Sequence, residues 1–228
     1  EKIYLELIER ETQSHIVYGN LAAIYQMKGS KEKKQIINLL KKALQIKPAF
    51  PDALNNLGNA LKEQGDLNSA INYYQNAIKV NPDYQNAHYN LGKALQEKGD
   101  LNSAIDSYQH AIKLNPKYHE AHNNLGNALK EQGNLNSAID SFRYALELNP
   151  DYQEAHINLG TALQENGDLN SAILSFQKAL KIKPDFAQAH YNLGIALQEN
   201  GDLNSAIDSY QNAIKFNPKY HEAHNNLG

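Results

Sequence analysis

The sequence predicts an all-α solenoid of helix-turn-helix repeats, and three observations predict it. Proline recurs at Pro48, Pro82, Pro116, Pro150, Pro184 and Pro218, always thirty-four residues apart. The pair Leu-Gly keeps the same step, at Leu57-Gly58, Leu91-Gly92, Leu125-Gly126, Leu159-Gly160, Leu193-Gly194 and Leu227-Gly228. Between these marks, apolar residues return at three- and four-residue steps, the signature of amphipathic helices. A fixed period of this size marks units that cannot bury their apolar faces alone and must stack. Function then belongs to a long repeated surface and not to one pocket.

Residues 51–84 serve as the reference unit, with positions counted from its first residue. A first helix over 51–64 follows from the spacing of Ala53, Leu54, Leu57, Gly58, Ala60 and Leu61. Gly65 ends it where a left-handed residue is wanted. Asp66 is placed to cap the next helix by accepting from the backbone N–H of Ser69. The second helix carries Leu67, Ala70, Ile71, Tyr74, Ala77 and Ile78. Pro82 closes the unit, because proline lacks the N–H that a continuing helix needs. Linkers this short join antiparallel neighbours.

Five full units follow in frame, at 51–84, 85–118, 119–152, 153–186 and 187–220. Residues 15–50 read as a divergent repeat. There Asn20-Leu21-Ala22 aligns with Asn56-Leu57-Gly58 and Gly29 with Gly65, with a longer inter-helix turn near Lys31–Lys34. Residues 1–14 read as the remnant second helix of a preceding repeat, and 221–228 as the truncated first helix of a further one. Starting at Glu1 and stopping inside a motif, the chain reads as a fragment.

Composition narrows the function classes. A net charge of −3 over 228 residues, with no basic stripe, argues against nucleic acid. No apolar run approaches a membrane span, and no signal-peptide pattern opens the chain. With Cys 0, disulfides and thiolate metal sites are excluded, which fits a cytoplasmic protein. His119 with His122, and His221 with His224, are three apart and lack the spacing that puts two imidazoles on one zinc ion. They read as packing residues, and neither a metal nor a cofactor is expected. No catalytic order or phosphate loop is visible, and a catalytic site is not copied in every unit. The expectation is therefore a non-enzymatic chain.

Small residues at positions 8, 20 and 27, large ones at 7, 11 and 24, and proline at 32 resemble the tetratricopeptide repeat. The resemblance covers residues 51–220. It departs at position 4, usually aromatic, which here holds Leu54, His88, His122, His156 and His190. What the resemblance implies is a right-handed superhelix whose first helices line a concave groove that holds an extended polypeptide.

A helical wheel of the first helix sends positions 3, 4, 7, 8, 10, 11 and 14 to the packed side and positions 2, 5, 6, 9, 12 and 13 to the polar one. Position 6 is asparagine in every unit: Asn20, Asn56, Asn90, Asn124, Asn158, Asn192 and Asn226. Asparagine is roughly 0.5–0.7 kcal/mol worse than alanine in a helix, so its repetition wants a reason. A primary amide pairs with a peptide N–H and C=O together, so stacked amides form a ladder that grips a backbone of any sequence. The array is similar to the asparagine ladder of O-linked N-acetylglucosamine transferases, where that position binds substrate polypeptide. Two other readings stay open: each Asn bonds to the neighbouring repeat and sets the stacking, or duplication copied it without purpose.

Around the ladder, positions 2, 5 and 9 vary and would supply preference among guest side chains, with Asn55, Tyr89, Asn123, Ile157, Tyr191 and Asn225 at position 5, Asn59, Lys93, Asn127, Thr161 and Ile195 at position 9, and the two tyrosines as principal contacts. The carboxylate-clamp pattern for chaperone C-termini is broken. Asn59 and Asn90 fit it, but Asn55 replaces its lysine, and Glu120 and Asn124 stand where bases are required. The sequence thus predicts a polypeptide-binding scaffold. Its rivals are the substrate-recognition arm of a glycosyltransferase and a module that self-associates end to end.

Overall fold

A computed structural model describes residues 1–9, 13–28 and 33–227. Gly29, Lys31 and Gly228 lie outside the described residues. All regular structure among the described residues is α-helical.

The chain divides into two compact units, Glu1–Pro116 and Lys117–Gly228. The first holds α1 (Lys2–Glu9), α2 (His15–Met27), α3 (Lys33–Ile46), α4 (Pro51–Lys62), α5 (Leu67–Val80), α6 (Gln85–Lys98) and α7 (Leu101–Leu114). The second holds α8 (His119–Glu131), α9 (Leu135–Leu148), α10 (Gln153–Glu165), α11 (Leu169–Ile182), α12 (Ala187–Glu199), α13 (Leu203–Phe216) and α14 (His221–Leu227). Within each unit every helix packs on its successor. First helices also meet one another, α4 with α6, α8 with α10, and α10 with α12.

The turn inside each pair is built as its residues require. Gly65 sits at φ 85°, the left-handed region that reverses the chain without a Cβ clash. Asp66 Oδ1 then accepts from Ser69 N at 3.1 Å. Asp100, Asp168 and Asp202 repeat this bond, whereas Asn134 forms no side-chain cap to α9. The Ser69, Ser171 and Ser205 hydrogen bonds hold the carboxyls of Asp66, Asp168 and Asp202 below their usual value. A depressed folded pKa contributes stability above the unfolded value that is lost as pH falls through the folded one. Asn134→Asp is therefore expected to raise the Tm at neutral pH by about 1–2 °C. The gain should fall away in melts taken to progressively lower pH, as the new carboxylate takes up its proton in the folded state.

The packing centre of each pair is an aromatic ring against a glycine. Tyr74, Tyr108, Phe142 and Phe176 are fully buried and Tyr210 nearly so. A Cβ placed on Gly58, Gly92, Gly126, Gly160 or Gly194 would lie 2.5–2.7 Å from the ring opposite. The glycine therefore sets the distance between the two helices of a pair, and alanines at positions 20 and 27 let the next helix approach. These apolar faces supply most of the stability, at about 2–3 kcal/mol for each fully buried ring.

Position 4 has its own chemistry. The Nε2–H groups of His88, His156, His190 and His224 donate to the carbonyls of Pro82, Pro150, Pro184 and Pro218, at 2.8–3.1 Å. Proline ends the preceding helix, and the imidazole satisfies a carbonyl that this leaves exposed. The rings also pack on second helices, His88 on His110, His122 on Tyr144 and His190 on Phe216, with centroids 4.5–5.4 Å apart. Among the described residues no group of three or more His, Asp and Glu side chains forms a metal-binding cluster. Among them, too, no helix is long and apolar enough to cross a membrane.

Candidate functional site

Each first helix carries its position-6 asparagine to a surface that the stack leaves partly open. Asn20 and Asn226 are exposed, and Asn56, Asn90, Asn124, Asn158 and Asn192 are half-buried. None is sealed from solvent.

Position 5 departs from the wheel. Asn55 is 4% exposed and Asn123 is 2% exposed, so in these two units the residue points into the stack. The reason is tertiary. The first helix of the following repeat covers this edge of the helix, and its ladder amide completes a bond. Asn90 Nδ2 donates to Asn55 Oδ1 at 2.9 Å, and Asn158 Nδ2 donates to Asn123 Oδ1 at 3.0 Å. Asn55 Nδ2 reaches Asn56 Oδ1 at 3.4 Å, and Asn123 Nδ2 reaches Asn124 Oδ1 at 3.5 Å. An amide relay therefore runs from one rung through a buried asparagine to the next.

The other rungs differ. Asn20 Nδ2 donates to the Tyr4 hydroxyl at 3.0 Å, and Asn192 Oδ1 accepts from Gln188 Nε2 at 2.9 Å. Asn90 and Asn158 each retain a second N–H and a carbonyl oxygen with no other partner among the described residues. A single bond to the neighbouring repeat fixes each of these amides without exhausting it.

Tyr89 and Tyr191 are half-buried lids over the core rings. Tyr89 lies 6.1 Å from Tyr108, with Lys93 Nζ 5.5 Å from its own ring centroid. Tyr191 lies 5.9 Å from Tyr210 and 4.8 Å from Tyr220. Burial chiefly, with Tyr191 and Glu222 beside it, pushes the Tyr220 hydroxyl up to about 12. At position 9, Asn59 Oδ1 accepts from the Tyr74 hydroxyl at 2.8 Å, while Lys93 is exposed and Asn127 is half-buried. Thr161, Gln164, Glu165, Asn192, Ile195 and Glu199 line a hollow of about 320 Å³ between α10 and α12. Lys130 neutralises Glu165 at 3.1 Å, whereas Glu199 receives only the Gln164 amide among the described residues, at 2.8 Å.

The wheel places Asn55 and Asn123 on the groove face beside Tyr89 and Tyr191, but the structure buries them, and they position the rungs that follow. The available signal was the doublet Asn-Asn at Asn55-Asn56, Asn123-Asn124 and Asn225-Asn226, which pairs a buried amide with an open one in the first two cases. Asn55→Ala is expected to cost about 1–3 kcal/mol, because it leaves a half-buried rung amide without its acceptor. Asn56→Ala should cost less, since it removes only the long 3.4 Å contact from Asn55 Nδ2 and gains helix propensity. Urea melts of the two variants would show whether burial separates these adjacent amides.

Profiles of the tetratricopeptide repeat match residues 37–65, 58–99, 94–133, 126–167, 162–201 and 187–220, so the chain belongs to the tetratricopeptide-repeat family. No curated protein sequence matches it. Among solved structures it is similar to MamA, at 28% identity over 73% of this chain and 97% of that one, with a TM-score of 0.68. It is also similar to YrrB, described as a TPR protein with an unusual peptide-binding site, at 23% identity over 82% of this chain and 96% of that one, TM-score 0.68. PilF of Pseudomonas aeruginosa shares the fold at a TM-score of 0.80, with 19% identity over 92% of this chain and 95% of that one.

Proposed function

We propose that the chain is a non-catalytic scaffold that holds an extended polypeptide along the face of its first helices, the ladder amides bonding the guest backbone. The observation that carries this reading is the state of Asn90 and Asn158. One N–H of each is spent on fixing the side chain, and the other N–H and the oxygen remain for a peptide C=O and N–H. Pre-orientation lowers the entropy that binding must overcome. Tyr89, Tyr191, Asn59, Lys93 and Asn127 flank the ladder and would tune side-chain preference. In the hollow beside Asn192, the Ile195 side chain and the weakly compensated Glu199 suit a guest lysine or arginine. The peptide-binding site ascribed to YrrB and the likeness of the ladder to that of O-linked N-acetylglucosamine transferases both favour a polypeptide guest. The second likeness also keeps open a role as the substrate arm of such an enzyme.

Photo-crosslinking tests the location. A benzoylphenylalanine at Lys93 should capture unstructured peptides of varied sequence, and one at Lys113, exposed on α7, should not. Equal capture at both positions would refute the assignment to the ladder face.

A further inference from the structure

The second-helix side of the chain carries a groove that the ladder does not use. It lies between α9 and α11, with His156 and Leu159 of α10 among its lining, and encloses about 870 Å³. Its counterpart between α5 and α7 encloses about 420 Å³. The chemistry differs as well. The α5/α7 groove is lined by Asp100 and Asp106 with Gln75 and two histidines, and the α9/α11 groove by Arg143, Lys178 and Lys181 together with Glu147 and Asp151.

The substitutions that make this difference are confined to exposed positions. Position 25 is Gln75, Gln109, Gln177 and Gln211 in the other units and Arg143 here. Position 22 is Asn72, Asp106, Asp140 and Asp208 elsewhere, but Leu174 on α11, and that leucine is 58% exposed. It stands one turn before Lys178 on the same face of α11. Packing does not require these changes, because the other units stack without them. The exposed leucine adds apolar surface one turn from the Lys178 cation that helps set this groove apart.

We infer that the α9/α11 groove is a second docking site, which takes an acidic, partly apolar polypeptide segment. Its carboxylates meet Arg143 and Lys178, and its apolar side chains lie on Leu146, Leu159 and Ile182. Lys178 and Lys181 lack a direct ion pair among the described residues, while Arg143 has an exposed contact with Asp140 at 3.8 Å and also lies near Asp168.

His156 gives an independent sign. It is 6% exposed, its Nε2 is committed to the Pro150 carbonyl, and its buried Nδ1 has no hydrogen-bond partner among the described residues. A buried polar atom left unpaired is uncommon and calls for a partner. Burial first, and the Lys178 charge with it, hold the imidazole below the usual histidine range, against the opposing pull of Pro150 and Asp151. A carboxylate seated against Lys178 offsets that charge, and Nδ1 then takes a proton more readily.

The test uses the whole chain and a fluorescein-labelled peptide of glutamate, leucine and alanine, beside its counterpart with lysine for glutamate. The acidic peptide should bind and the basic one should not. Arg143→Gln with Lys178→Asn installs residues that other units already carry at these positions, so the variant keeps its fold. It should weaken binding of the acidic peptide about tenfold. On saturation the His156 ring resonances should move while those of His88 and His190 stay. The ladder variant Asn90→Ala, Asn124→Ala, Asn158→Ala should bind the acidic peptide as the parent does, which separates this site from the ladder face. Equal binding of the basic peptide, undiminished affinity of the double variant, or a shift at His88 instead of His156 would overturn the proposal.

Discussion

Gly160→Val will destabilise the chain by about 3 kcal/mol or more and lower its Tm by roughly 6–12 °C. The size follows from where the added atoms land. A Cβ on Gly160 would lie 2.6 Å from Phe176 Cε1, 2.8 Å from Cδ1 and 2.9 Å from Cζ. Phe176 is fully buried, so its ring has no free space to swing into. Valine adds two further methyls and loses rotamer freedom in a helix, so its gain in propensity over glycine is too small to offset the clash. Relief must come from separating α10 and α11, which opens the apolar face between them. Gly133→Ala is the matched control. Gly133 sits at φ 88°, and a methyl added there would meet nothing within 4 Å, so only backbone strain of about 1–2 kcal/mol is at stake. Phe176→Leu in the Gly160→Val background should restore part of the loss. Urea titrations of the three variants check the order. Equal costs at Gly160 and Gly133 would show that helix spacing is not set by the glycine.

The second large effect concerns binding. Replacing Asn90, Asn124 and Asn158 together with alanine is expected to cost about 2–4 kcal/mol of polypeptide affinity, roughly thirtyfold to a thousandfold in Kd. Each rung loses a pair of backbone bonds whose net worth is near 1 kcal/mol. Stability should fall as well, because alanine's better helix propensity of roughly 0.5–0.7 kcal/mol per site offsets only part of the cost of the groups left unpaired on Asn55 and Asn123. Fluorescence polarisation with unstructured peptides, beside a thermal melt, reads both quantities. Undiminished affinity with a lowered Tm would show that these amides serve the stacking alone.

These two outcomes separate the two kinds of residue that every unit repeats. Gly160 acts through a distance between helices and concerns the fold. Asn158 keeps valences that the fold leaves unspent, and under the proposed function these would serve a guest. The histidines of position 4 belong with the glycines, since their Nε2–H groups are committed to proline carbonyls.

Much of the helix-pair architecture was legible in the sequence because its causes are local. Gly65 at positive φ, the Asp66 bond to Ser69 and the apolar spacing of α4 and α5 each depend on residues within a turn or two. The site was legible only in part. A wheel divides an isolated helix into two faces, but a first helix in this array touches both its own pair-mate and the next first helix. Position 5 falls on the edge between those contacts. Its burial at Asn55 was therefore settled by Asn90, thirty-five residues away, and not by the angle on the wheel.

The sequence by itself determined the repeat, the helices, their caps and the family, because a periodic apolar pattern admits one way to bury itself. Only the tertiary structure decided which amides are spent and which remain, and which groove gathers Arg143, Lys178 and the unpaired Nδ1 of His156. Hydrogen-bond satisfaction and the meeting of charges depend on distances between helices, and those distances exist only once the units have stacked.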